Sequence, residues 1–140
     1  MKTSECLLAS IEFPSDPVYL KKIRQVVRRA ARSAGCSDKV VQNSVLAVNE
    51  AAMNIIQHAY QGDIHGVIIL EIRKVGQSLE FLLTDYGLPA CPEKIKPRAL
   101  DEIRPGGLGC HFIREVMDEV QYLPLPENIG NQLRMVKRIS

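Results

Sequence analysis

The stretch NEAAMNIIQHAY, residues 49–60, decides how the chain is read. It reads as the C-terminal half of a helix. At about 100° per residue, Val41, Val45, Val48, Ala52 and Ile55 gather on one side. Glu50, Asn54 and His58, four apart, drift across the other side with Asn43 behind them. A plain amphipathic helix would carry Lys, Glu or Gln on such a stripe. Asn54 is a poor helix former at mid-helix, with no cap to serve. Ala47 and Ala51 flank the stripe and leave room for something to lie close to the backbone. A carboxylate there can accept a proton from a nucleophile. An amide oxygen one turn on is a hard ligand suited to Mg²⁺. His58, near the helix C-terminus where an imidazolium is favoured by the dipole, is read as structural.

The rest of the chain falls into place around this helix. Ser37 is a good N-cap, so the helix is expected over residues 38–60. Before it, residues 19–34 form a basic amphipathic helix with Leu20, Ile23, Val27 and Ala30 on its apolar face, capped by Ser15 or Asp16 and ended by Gly35. Leu7, Ala9, Ile11 and Phe13 alternate with Leu8, Ser10 and Glu12 as a first strand. After the helix, VIILEIRKV and SLEFLLTD are two strands joined by Gly76-Gln77. From 85 to 107 prolines and glycines break the pattern, and a loop that long inside a compact domain is usually functional. GLGCHFIREVMDEV is helical, with Leu108, Phe112 and Val116 four apart. QYLPL and NQLRMVKRIS close the chain as two strands around PENIG. Strands and helices do not alternate as in a doubly wound fold. The expectation is an α/β two-layer sandwich, with a mixed, mostly antiparallel sheet and three helices on one face. One domain is expected over residues 1–140.

Composition narrows the function classes. The 140 residues carry a formal charge of +2. The basic residues have no aromatic interleaving, which argues against nucleic acid as partner. Cys6, Cys36, Cys91 and Cys110 form no C-x-x-C and have no His at zinc-ligand spacing, so they read as free thiols in a reducing cytoplasm. No stretch approaches a membrane span and the N-terminus is not a signal peptide, so a cytoplasmic protein without membrane contact is expected.

Two glycine signals complete the pattern. TDYGLPA ends a strand with Asp85 and Gly87, and a buried carboxylate there could accept a hydrogen bond from an exocyclic amine such as that of adenine. PGGLG places Gly106, Gly107 and Gly109 at the opening of a helix, where glycine costs stability and free N–H groups suit phosphate. The spacing is neither a P-loop nor G-x-G-x-x-G. Together the three signals supply a Mg²⁺ ligand, an adenine contact and a phosphate cradle.

That order resembles the GHKL ATPases: NEAAMNIIQHAY is similar to their N box, TDYGLPA to their G1 box and GGLG to their G2 box. The fuller pattern E-A-x-x-N-x-x-x-H-A-Y resembles the stand-alone anti-sigma-factor serine kinases. The resemblance implies the Bergerat fold and ATP with Mg²⁺ as cofactors. It implies Glu50 as the base that helps an attacking hydroxyl and Asn54 as Mg²⁺ ligand. Asp85 would read the adenine amino group with Gly87 beside it. Gly106, Gly107, Leu108 and Gly109 would hold phosphates in a lid that orders over ATP, and Arg104 would reach the γ-phosphate. The implied partners are a sigma factor and a small antagonist protein bearing the phosphorylated serine or threonine, with a homodimer allowed. The chain departs from the family at two places. Pro89 replaces a second G1 glycine. Asn131 and Gln132 stand where relatives carry a Thr that supports the adenine contact. Two other functions share the same residues: a nucleotide-dependent module that sequesters a sigma factor without catalysis, and an ATP hydrolase.

Overall fold

The computed structural model describes residues 5–88 and 107–140. In chain order these form β1 (Glu5–Pro14), α1 (Leu20–Ser33), α2 (Asp38–Asn54), β2 (Val67–Val75), β3 (Ser78–Asp85), α3 (Gly107–Val116), β4 (Glu119–Pro124) and β5 (Asn131–Arg138). The sheet order is β1-β2-β3-β5-β4. The sequence pattern predicts a mixed, mostly antiparallel sheet, and every pairing among the described strands is antiparallel.

Period-two burial builds the sheet. Ile68, Leu70 and Ile72 on β2, Leu79, Phe81 and Leu83 on β3, and Leu133 and Met135 on β5 all face one core. Buried residues of the three helices share that core: Ile23 and Val27 of α1, Val45, Val48 and Ala52 of α2, and Ile113 of α3. The other face carries charge. Arg73 pairs with Glu5 and Glu71, and Arg134 with Glu80 and Glu119. Such half-exposed pairs are worth little each, and chiefly keep that face wet.

Of the helix signals, Gly35 and Ser37 act as expected, while α1 itself starts after Tyr19 without a side-chain cap. Asp16 accepts from Val18 N at 3.0 Å and starts a 3-10 turn at Pro17–Tyr19 that leads into α1. Gly35 ends α1 at φ +88. Ser37 accepts from Val40 N at 3.3 Å and caps α2. α2 lies between α1 and α3 and packs on both.

Four details differ from the sequence pattern. A bulge between Leu7 and Ala9 reverses the phase of β1, so Leu7 faces out at 53% exposure while Leu8 packs on the core. α2 does not run regularly to residue 60. It changes at Ile55–Ala59 into a π turn, with Tyr60 N donating to Ile55 O at 3.1 Å. Ala47 and Ala51 do not lie open beside the stripe but are buried in the core. α3 stops at Val116, because Glu119 and Val120 pair with Val136 and Met135 of β5. Among the described side chains of α3 Ile113 is the most buried, Met117 just after the helix is buried too, and Phe112 and Val116 are partly buried beside them.

Candidate functional site

Glu50 and Asn54 sit one turn apart on α2, both half-buried between the core side and solvent. Asn49, just before Glu50, accepts from Arg24 of α1 at 3.0 Å. His58 lies in the π turn and is exposed, so the stripe ends at Asn54. An extra residue per turn shifts the phase of every later residue, and π turns of this kind are frequent at functional sites.

Asp85 closes β3 on the same side as Leu83 and Phe81 and is 3% exposed. Its Oδ1 accepts from Gly87 N at 3.0 Å and from Asn131 Nδ2 at 3.0 Å. Burial pushes the carboxyl above its ordinary range, and the two hydrogen bonds only partly offset that. The Asn131 amide also donates to Leu88 O at 2.9 Å, so one side chain holds both the carboxylate and the turn after it. Of the two residues standing in place of the family's Thr, Asn131 therefore meets Asp85, while Gln132 reaches Thr84 at 3.3 Å.

The turn after Asp85 is fastened to the end of the α2 segment. Leu88 N donates to Ala59 O at 2.8 Å. A Cβ on Gly87 would overlap the Ala59 backbone, so glycine is required there by the fold itself. Tyr60 adds a second hold. Its hydroxyl donates to Val67 O at 2.5 Å and accepts from Tyr86 N at 2.8 Å. Base-reading and proton-accepting candidates thus hang from one helical segment.

Gly107, Leu108 and Gly109 form the first turn of α3, where backbone N–H groups have no helical partner. Arg104 and Gly106 lie outside the described residues, as does most of the segment expected to act as a lid. Among the described residues no group of three His, Cys, Asp or Glu could hold a metal ion. The donor set still fits Mg²⁺, which keeps several waters and asks for one or two protein oxygens beside substrate phosphates. Asn54 can offer such an oxygen, with Glu50 one turn away free to act as base.

Residues 13–137 match the model of the histidine kinase-like ATPase domain family. The chain belongs to that family. It is 30% identical over 120 residues to the serine-protein kinase RsbW of Listeria innocua, covering 80% of this chain and 76% of the relative. To the Bacillus subtilis serine-protein kinase RsbW it is 27% identical over 119 residues, covering 79% and 74%. These bear out the resemblance carried by residues 49–60. Among solved structures, the RsbU and RsbW domains of Rv1364c from Mycobacterium tuberculosis superpose with a TM-score of 0.67 at 14% identity, over 94% of this chain and 32% of that longer one. A blue-light activated histidine kinase from Erythrobacter litoralis superposes at 0.58 and 18% identity, over 91% and 42%. At those identities the likeness is one of fold, and the two-layer α/β sandwich of the histidine kinase-like ATPase family is the fold seen here. No described helix is long and apolar enough to cross a membrane.

Sequence reasoning missed Tyr60, Ala59 and Gly130 as parts of this site. Gly130 has no room for a Cβ against Asp85 O. A signal for Tyr60 existed: an aromatic residue with a polar tip, set at a helix end before a glycine, needs partners for its hydroxyl. Ala59 contributes only a carbonyl, which leaves no trace in a sequence.

Proposed function

We propose that the protein is an ATP- and Mg²⁺-dependent serine/threonine kinase, with residues 1–140 as one catalytic domain. On this reading it holds a sigma factor, or a similar partner-switching protein, and phosphorylates a small antagonist protein. The observation that carries the proposal is the fastening of the Asp85 turn to the segment that bears Glu50 and Asn54. One element then positions both ends of a nucleotide. The names of the curated relatives, serine-protein kinases, support the choice of reaction.

Phosphoryl transfer needs mostly positioning and charge stabilisation. Glu50 accepts the proton of the attacking hydroxyl, and Asn54 holds the metal. When bound, Mg²⁺ neutralises charge on the phosphates. Asp85 accepts from the adenine amino group. The N–H groups of Gly107, Leu108 and Gly109 receive phosphate oxygens, with Gly106 and Arg104 contributing from the segment before them.

Incubation with γ-labelled ATP and candidate antagonist proteins tests the reading. Label on a serine or threonine is the expected result. Release of phosphate with no labelled protein would make the chain a hydrolase, and binding without either would make it a sequestering module. Glu50→Gln keeps size and polarity but cannot accept the proton. It should bind ATP nearly normally and transfer phosphate roughly 10²–10⁴-fold more slowly. Unimpaired transfer would place the base elsewhere.

A further inference from the structure

The peptide between Asp85 and Tyr86 is held on both sides. Its carbonyl, Asp85 O, packs against Gly130, where no side chain fits. Its amide, Tyr86 N, donates to the Tyr60 hydroxyl at 2.8 Å. That hydroxyl is itself fixed, because it donates to Val67 O at 2.5 Å. Val67 in turn starts β2 directly after a loop anchored by Ser15. The fully buried Ser15 hydroxyl accepts from Gly66 N at 2.8 Å and donates to Asp63 O, and the Ser15 amide donates to Gly66 O at 2.8 Å.

The Asp85 Cα lies in the Asp85–Tyr86 peptide plane. Holding that plane restrains ψ of Asp85, and with it the bearing of the Cα–Cβ bond relative to the turn. The hydrogen bonds from Gly87 and Asn131 both fall on Oδ1. Tyr60, through the backbone, and these two donors, through Oδ1, together restrain how Oδ2 is presented.

We propose that Tyr60 is a positioning residue for base selection: its hydroxyl, bridging Val67 O and Tyr86 N, sets the orientation in which Asp85 meets a purine. The inference rests on the reading of Asp85 as the base-binding carboxylate. A purely structural role is the competing account, and the surroundings of the ring separate the two. The ring is packed over Gly66, where any Cβ would overlap it, and a phenylalanine would keep that packing. The Tyr86 N to Tyr60 hydroxyl bond is itself exposed, so water can replace the hydroxyl when it is removed. Loss of the hydroxyl should thus cost the fold little while freeing the peptide plane. The phenol also stays neutral, since burial raises it above its ordinary range, and its proton remains available to Val67.

The test compares binding of ATP and of inosine triphosphate, which lacks the exocyclic amine, to wild type, Tyr60→Phe and Asp85→Asn by calorimetry, with melting temperatures alongside. Tyr60→Phe should melt within a few degrees of wild type and bind ATP about tenfold more weakly, the scale of one hydrogen bond's positioning. Its affinity for inosine triphosphate should barely change, so discrimination narrows. Asp85→Asn should abolish discrimination. If Asp85→Asn preserves the wild-type ratio, Asp85 does not read the base and the role of Tyr60 falls with it. If Asp85→Asn collapses the ratio while folded Tyr60→Phe keeps it, the role of Tyr60 alone is overturned. Gly66→Ala gives an independent arm that decides the matter should Tyr60→Phe not fold. It keeps the hydroxyl but pushes the ring aside, and should narrow the ratio likewise; an unchanged ratio in folded Gly66→Ala overturns the proposal.

Discussion

Asp85 is a carboxylate on the apolar side of a strand, and the unliganded fold bears a cost for it. Water is the better solvent for the ionised group, and two hydrogen bonds to Oδ1 do not make up the difference. A group whose native pKa is raised binds its proton more tightly in the folded state. Stability is therefore fully present below the ordinary carboxylate value and declines as pH rises to the raised one. Asp85→Asn is nearly isosteric, and its amide oxygen can accept from Gly87 and Asn131 as before. Without ligand the variant should melt a few degrees higher than wild type at neutral pH, and the difference should shrink on acidification through that window. Thermal scans of both proteins from about pH 3 to pH 7 check this. A variant less stable than wild type at pH 7 would show that the ionised carboxylate supports the fold.

At the scale of elements, the decisive joint is between the π turn and the loop after β3. Gly87→Ala puts a methyl group into the Ala59 backbone, which has no flexible side chain to yield. The Leu88 N to Ala59 O bond should break, with a loss of roughly 1–3 kcal/mol. ATP affinity should fall further than stability alone explains. Denaturant titration and calorimetry on the same sample check both, and unchanged affinity would detach this loop from the site. This joint was also the least legible part of the fold in the sequence. Val45, Val48 and Ala52 announce their burial because a helix repeats it regularly, and β2 and β3 are bounded by Gly76, at φ +59, and by Asp85. The π turn depends on where Tyr60 is held, and that is fixed by Val67 and Tyr86, residues of other elements. The bulge at Leu7 and the early end of α3 are likewise set by pairing partners far along the chain. The burial of Asp85 at the end of β3 and the place of Asn131 at the start of β5 were legible; their actual partners were not.

Over the whole molecule, charge is unevenly placed. Lys21, Lys22, Arg29 and Arg32 are exposed on α1, Arg24 and Arg28 are half-buried, and none makes an ion pair among the described residues. A face of one sign suits an acidic protein partner, and charges of this kind set association rate more than affinity. Reversing Arg28 and Arg29 to Glu should slow partner association by roughly 10-fold or more at low salt, with the gap closing as salt is added, and leave ATP affinity alone. Stopped-flow association across a salt series reads this directly, and a rate insensitive to both would defeat the docking role. The sheet register adds a consequence for engineering. Pro14, Val67, Asp85, Asn131 and Pro124 share one end of the sheet, while Glu5, Val75, Ser78 and Arg138 share the other. The first and last strand residues described, Glu5 and Arg138, are therefore at the end remote from Asp85, three strand spacings or about 14 Å apart. A linker of roughly five extended residues spans that gap. A circular permutant so joined and reopened between Gly76 and Gln77 should fold and keep its nucleotide affinity, and a dye or anchor attached at the new junction would report on the protein from outside the reacting end.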